Sequence, residues 1–395
     1  MTAPVAAVDL SPAAAIAAIG ALLASLALAL AWWRQRAQPA GLARRSALNR
    51  HGLLLLTLFL TFDLVVFGAY TRLSDSGLGC PDWPGCYASV TPAGALHHID
   101  QAASALPTGP VTRAKAWIEM VHRYLATAVG ALITLLMVLA WRDRRAQRHG
   151  AAPGPLTPGW ATLCFVWVCG QGLFGALTVT MKLYPAIVTL HLLGGVGLLA
   201  LLAVAARRSQ LAMRSANADT STTASSTPAD NAADPAHRPW LLLLLALLLL
   251  QISLGGWVST NYAVLACPDF PTCQGRWWPD ADFHAGYTLL RDLGRHADGS
   301  LLAHPALTAI HLGHRLGALL LLAASLLAAW RLRKATGWSR QALKLAGALL
   351  LLQIATGISN VVLGWPLLAA LAHTAGAAAL LALLAALLTR PTQAR

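Results

Sequence analysis

The stretch Trp117-Ile118-Glu119-Met120-Val121-His122-Arg123-Tyr124-Leu125-Ala126 decides the fold. It opens a long apolar run, so it falls near the mouth of a membrane-crossing helix. Glu119 and His122 are three apart, which sets both on one helical face. Ionisable side chains at membrane depth are costly, so such a pair marks a site before it marks packing. The pattern returns in Ala309-Ile310-His311-Leu312-Gly313-His314-Arg315-Leu316-Gly317-Ala318. A His-Arg pair at the mouth of two such helices says that the chain is doubled around histidine chemistry.

Outward from this stretch, the composition is that of an integral membrane protein. Of 395 residues, 57% are hydrophobic and 11% charged, against roughly 25% charged in a soluble domain. The net charge of +14 does not point to nucleic acid: the basic residues gather in short loops between apolar runs, and there is no soluble basic domain. Nine segments are long enough to cross a hydrocarbon core of roughly 30 Å. They are 13–33, 52–71, 116–141, 159–181, 185–206, 239–261, 304–330, 341–363 and 366–388. No Lys or Arg precedes the first segment and Asp9 does, so it reads as a retained helix rather than a cleavable signal.

Arg34, Arg36, Arg44, Arg45 and Arg50 follow the first segment, and Arg142, Arg144, Arg145 and Arg148 follow the third. Arg207, Arg208 and Arg214 follow the fifth, Arg331, Arg333, Lys334, Arg340 and Lys344 the seventh, and Arg390 and Arg395 the last. All fall on one side, which is therefore cytoplasmic. The N-terminus and the loops 72–115 and 262–303 are expected on the periplasmic side of the cell inner membrane, and the C-terminus on the cytoplasmic side. Residues 215–236 are rich in Ser, Thr, Ala and Asp and read as a flexible linker. The expected fold is all-α: two pseudo-symmetric four-helix bundles plus one extra N-terminal transmembrane helix. The segments are 1–50 for the extra helix and its basic loop, 51–206 for the first bundle, 207–238 for the linker and 239–395 for the second bundle.

The repeat is visible in ordered marks. Cys80-Pro81-Asp82-Trp83-Pro84-Gly85-Cys86 answers to Cys267-Pro268-Asp269-Phe270-Pro271-Thr272-Cys273. His122-Arg123 answers to His314-Arg315, and Gln171-Gly172-Leu173-Phe174-Gly175 to Gln353-Ile354-Ala355-Thr356-Gly357. His191 follows Gln171 at the interval at which His373 follows Gln353. Both halves have the same orientation, so the pseudo-axis runs along the membrane normal.

Four of the six cysteines form the two outer loops. In an oxidising compartment each pair is expected to close a small disulfide loop, either as a structural staple or as a redox contact with a thiol partner. Zinc is disfavoured because no His stands nearby at finger spacing. Cys164 and Cys169 lie inside an apolar helix and read as packing.

Of thirteen histidines, five sit within helices: His122, His191, His311, His314 and His373. A lone buried His is ordinarily a satisfied polar residue. Four at repeat-equivalent positions, roughly 9–15 Å below the outer surface at the helical rise, are a different matter. Two imidazoles facing each other at one depth suit a haem iron with two axial ligands. A bare transition-metal ion would want further ligands, and a proton relay would not explain the pairing in both halves. Small residues beside the candidates, Ala126, Gly130, Gly194, Gly195, Gly313, Gly317 and Gly376, offer room for a macrocycle or simply close helix packing. Arg123 and Arg315 point off the imidazole faces and suit a propionate or a carboxylate, with Arg72 and Arg276 as weaker candidates. The halves differ at one position: Glu119 stands where the second half has His311. A carboxylate in an apolar pocket can serve as acid or base near neutrality, so chemistry is expected in the first half and a permanent electron-carrying group in the second. A structural Glu119 paired to Arg123 competes with that reading.

Together these residues resemble the haem A synthases of aerobic bacteria and mitochondria. The resemblance spans about residues 50–390. It rests on Gly68-Ala69-Tyr70-Thr71-Arg72-Leu73-Ser74-Asp75-Ser76-Gly77-Leu78, Glu119-x-x-His122-Arg123, the two Cys loops, His191, His314-Arg315 and His373. It implies an eight-helix core that oxidises the C8 methyl of haem O to the formyl of haem A for terminal oxidases. It also implies haem b on His314 and His373, the substrate haem on His122 and His191, Glu119 as the catalytic carboxylate, and disulfides Cys80–Cys86 and Cys267–Cys273. The implied partners are the lipid membrane, a haem O synthase, a terminal oxidase assembly pathway and an electron acceptor such as a quinone or a thiol protein. The extra N-terminal helix departs from the eight-helix pattern. Two other classes compete: a diheme b-type cytochrome that passes electrons without substrate chemistry, and a transporter built on parallel repeats.

Overall fold

The computed structural model describes residues 42–149, 154, 156–218, 237–296 and 298–389, together with the single positions Ala18, Leu22, Ser25 and Ala29. Apart from those four positions, which are helical, the expected span 13–33 lies outside the described residues. Among the described residues the architecture is all-helical, and eight helices are long and apolar enough to cross a membrane. They are α1 (Leu42–Leu73), α2 (Arg113–Gln147), α3 (Pro158–Thr180), α4 (Pro185–Ala218), α5 (Arg238–Thr260), α6 (His304–Arg331), α7 (Gly337–Val362) and α8 (Leu367–Leu387). In a hydrocarbon medium only a helix satisfies every backbone group within its own segment, which is why apolar runs of this length take that form.

The helix starts are written locally. Proline stands in the first turn of α3, α5 and α6, where its missing N–H costs nothing. Thr112 caps α2 by accepting from the Lys115 amide at 3.2 Å. One boundary differs from expectation. α4 runs on to Ala218 through residues expected in the linker, and the Arg207 Nη1 donates to Gln210 Oε1 at 2.7 Å within it. The arginines end the apolar run without ending the helix.

In the first bundle α1 packs on α2, α2 on α3, α3 on α4 and α4 on α1, which closes a ring. In the second, α5 packs on α6, α7 on α8 and α8 on α5, while α6 and α7 lack the close contact that α2 and α3 make. The halves meet through α4 against α5 and α8, and α1 against α8. The dry cores lie toward one end. Leu53, Leu54, Leu132, Ile133, Leu136 and Leu202 fill the first bundle there. Leu241, Leu244, Leu248, Leu381, Leu384 and Leu387 fill the second. In lipid such cores hold by close packing rather than by exclusion of water. All the candidate site residues lie toward the other end.

That end carries a polar lock between the halves. Arg72 Nη2 donates to the Ser259 carbonyl at 2.5 Å, and its guanidinium lies 3.9 Å from the centre of the Tyr262 ring. The Tyr262 hydroxyl donates to Asp75 at 2.6 Å, and Lys115 reaches the same carboxylate at 3.3 Å. Arg72, expected as a weak propionate candidate, thus bridges the two bundles.

Candidate functional site

Each outer loop is a copy of one device. Cys80 and Cys86 are disulfide-bonded, as are Cys267 and Cys273. Asp82 accepts from the Tyr87 and Ala88 amides, both at 2.7 Å, and Asp269 accepts from the Gln274 and Gly275 amides at 2.5 and 3.0 Å. The Thr272 hydroxyl also donates to Asp269. That hydroxyl above all, with the Gly275 and Gln274 amides, holds the Asp269 carboxyl below the usual aspartate range. A single arginine then clamps each loop onto its helix. Arg123 Nη1 donates to the carbonyls of Asp82, Pro84 and Gly85 at 2.9, 3.1 and 2.5 Å. Arg315 donates to those of Cys267, Asp269 and Thr272 at 3.1, 2.7 and 2.7 Å. The propionate role read from the sequence for these two arginines therefore meets a competing use: their amino groups are turned into the loops.

Glu119 is buried at 5% exposure and both of its oxygens are engaged. Oε1 accepts from Arg123 Nη2 at 2.5 Å, and Oε2 from the Cys80 amide at 2.8 Å. The counterpart His311 is also buried, with Nδ1 at 3.1 Å from the Ala263 carbonyl. The position that differs between the halves thus anchors the loop in both, through a carboxylate in one and an imidazole in the other.

Behind the loops lie the four imidazoles. The His314 and His373 rings stand with centres 6.4 Å apart and planes crossed at 78°. A single metal bound by both rings would separate their centres by two metal–nitrogen bonds of about 2 Å plus the two ring radii, which this spacing meets. In the first bundle Phe67 stacks on His122, with ring centres 6.3 Å apart and planes at 11°. Among the described residues no cluster of three or more His, Cys, Asp or Glu could hold a bare metal ion, so the histidines offer two donors per site. Two trans imidazoles complete the coordination of a macrocyclic iron and leave a bare ion short of ligands. Buried polar atoms without partners gather at this level: His122 Nδ1, His191 Nδ1, Gln171 Oε1, Gln251 Oε1 and Gln353 Nε2. The donor set, its spacing and these orphaned atoms fit a haem.

Of the small residues, Gly194, Gly313, Gly317 and Gly376 follow the close-packing alternative, whereas a Cβ at Gly130 would meet nothing within 4 Å. A Cβ added at Gly194 would strike the Gln171 amide, and one at Gly376 the Gln353 amide. Gly313 admits the Tyr287 hydroxyl and Gly317 the Gln251 amide. The glycines that touch the imidazoles are others: Gly68, Gly175, Gly255 and Gly357 would bring a Cβ within 3.0, 3.6, 3.0 and 3.3 Å of Cε1 of His122, His191, His314 and His373. Each stands one helical turn after Leu64, Gln171, Gln251 or Gln353. That recurrent Gln-x-x-x-Gly spacing is the sequence signal that would have found three of the four.

Eight spanning helices in two related bundles, with an imidazole pair in each, define a polytopic membrane protein organised around paired histidines. Residues 51–385 match the COX15-CtaA family, described as cytochrome oxidase assembly protein, and the chain belongs to that family. The heme A synthase of Shewanella oneidensis is 38% identical over 329 residues, covering 83% of this chain and 92% of that protein. That of Halalkalibacterium halodurans is 28% identical over 310 residues, covering 78% and 85%. That of Caulobacter vibrioides is 28% identical over 342 residues, covering 82% and 90%.

Proposed function

We propose that this chain oxidises haem O to haem A, with the substrate held in the first bundle by His122 and His191. Haem b is held in the second bundle by His314 and His373. The observation that carries the reading is the His314/His373 ring spacing of 6.4 Å, taken with relatives named heme A synthase. When bound, haem b supplies reversible one-electron chemistry next to the substrate bundle. The reaction is two successive two-electron oxidations at the C8 methyl of the substrate, each adding a hydroxyl from water and releasing two protons, after which the geminal diol loses one water to leave the aldehyde.

Glu119 sits three residues before His122, one turn toward the outer face. Its two oxygens are already taken by Arg123 and the Cys80 amide. A carboxylate fixed in that way is suited to stabilise positive charge that develops on the substrate, because it need not reorganise. To take up a proton, the Glu119 carboxylate would first have to release one of these donors. Arg123 holds the disulfide loop against the outer part of α2, beside Glu119. Phe67, stacked on His122, offers an apolar surface suited to a porphyrin face. The loops lie on the periplasmic side of the inner membrane, and the electrons leave to a quinone or to the disulfide form of a thiol protein.

Extraction of pigments from the purified protein tests the reading. Cells that supply haem O should yield haem b together with haem O or haem A. Recovery of haem b alone would mark an electron carrier, and colourless protein would exclude both.

A further inference from the structure

The two imidazole pairs are not held alike. His314 Nδ1 accepts from Gln251 Nε2 at 3.0 Å, and the same amide nitrogen donates to the His314 carbonyl at 3.1 Å. His373 Nδ1 stands 3.0 Å from the Thr356 hydroxyl. That hydroxyl donates to the Leu352 carbonyl at 2.7 Å, so its lone pairs are free to accept from the ring. In the first bundle both Nδ1 atoms, of His122 and of His191, are buried without a hydrogen-bond partner among the described residues. The residues at the matching places explain this. Gln251 precedes Gly255 as Leu64 precedes Gly68, and Thr356 follows Gln353 as Phe174 follows Gln171. Leucine and phenylalanine have nothing to offer a ring nitrogen. Two separate helices have therefore made the same change in the same direction.

We propose that Gln251 and Thr356 are positioning residues that lock the second imidazole pair as permanent iron ligands. Leu64 and Phe174 leave the first pair unlocked, so that its haem can be exchanged. This rests on the reading above that each pair holds a haem. An imidazole that binds metal through Nε2 carries its proton on Nδ1, and a partner for that proton fixes the ring orientation and strengthens the ligand. Thr356 Oγ1 can accept it as it stands. Gln251 can accept it after a half-turn of its amide, which brings the unpartnered Oε1 to the ring and exchanges the bond to the His314 carbonyl for one to the imidazole. Gln251 cannot drift far, because its amide already lies against Gly317 of α6. A resident cofactor gains from such a hold, whereas a substrate that must leave as product is impeded by it. The unequal partners of the ring nitrogens thus mark one haem as resident and the other as substrate.

The test measures haem loss from the purified, loaded protein to apomyoglobin, together with the haem b midpoint potential; neither depends on turnover. Gln251→Leu and Thr356→Val, which install the apolar character of the first bundle, should each speed the loss of haem b about tenfold to a hundredfold. The potential should move in the positive direction as the ligands become less basic. Thr356→Ser should behave as the parent, and Phe174→Thr should slow the release of haem from the first bundle. Unchanged loss rates and unchanged potentials in both second-bundle variants would overturn the inference while leaving the ligand assignment intact. Undiminished haem b in His314→Ala would overturn the ligand assignment itself, and with it the inference.

Discussion

The two bundles share a helix order, a disulfide loop clamped by one arginine, and an imidazole on each of two helices, yet they part at five places. Glu119 stands against His311, Leu64 against Gln251, Phe174 against Thr356 and Phe67 against Leu254. The ring of helices is closed in the first bundle and lacks the α6–α7 contact in the second. The shared parts build a scaffold that sets two imidazoles at one depth. Among the differing residues, Glu119 and His311 hold the loops, Phe67 stacks on His122, and Gln251 and Thr356 bond the second imidazole pair. A duplicated fold can therefore assign separate tasks to its halves without moving a ligand, by changing only what surrounds the ligands.

The largest expected effect lies at the charged member of the first contrast. Glu119→Gln keeps an acceptor for the Cys80 amide and removes the charge. It should cut haem A output by more than tenfold while haem b content stays at the parental level. Haem extraction from cells expressing the variant reads both quantities, and normal haem A output would remove the electrostatic role.

Arg123→Ala and Arg315→Ala come next, and they ask whether the two clamps are equivalent. Each releases three carbonyl bonds to a loop. A hydrogen bond to a charged group is worth about 1.5–3 kcal/mol. Both variants should expose their own loop to protease or to reduction of its disulfide without touching the other loop. Arg123→Ala should additionally depress activity, because it also frees Glu119. Equal activity losses in the two variants would argue against that division.

The smallest effect concerns acid. The Asp269 carboxyl is held below its ordinary range by Thr272, Gly275 and Gln274, so its folded pKa lies under the unfolded value of about 3.9. Such a group contributes stability that is fully present above about pH 4 and is lost as pH falls through the folded value. The protection of the Gln274 and Gly275 amides against exchange, relative to their unfolded rates, should fall only below about pH 4. Loss of protection already near pH 6 would place the sensitive group elsewhere.

Much of this was legible in the sequence, for a reason particular to membranes. Polar residues inside apolar runs are rare enough that His122, His191, His314 and His373 stand out, and the Cys loops fix the register of the repeat. The eight spans among the described residues followed from length and hydropathy. What neighbours what across helices was not legible. Nothing in the order of residues says that Gln251 on α5 meets His314 on α6, or that Gly68 lies under His122. Those contacts depend on helix rotation and packing. The Glu119–Arg123 pair was one of the readings, whereas the clamping of the loops by Arg123 and Arg315 depends on the path of the loops, which spacing alone does not give. The continuation of α4 through Arg207 was missed because the end of an apolar run is not the end of a helix.

The assignment of one haem to each bundle is tested most directly by extracting and quantifying the haems of two purified variants, His314→Ala and His122→Ala, expressed in cells that make haem O. His314→Ala should lose haem b, and His122→Ala should keep haem b while losing haem O and haem A. Loss of haem b from His122→Ala together with its retention by His314→Ala would contradict the assignment.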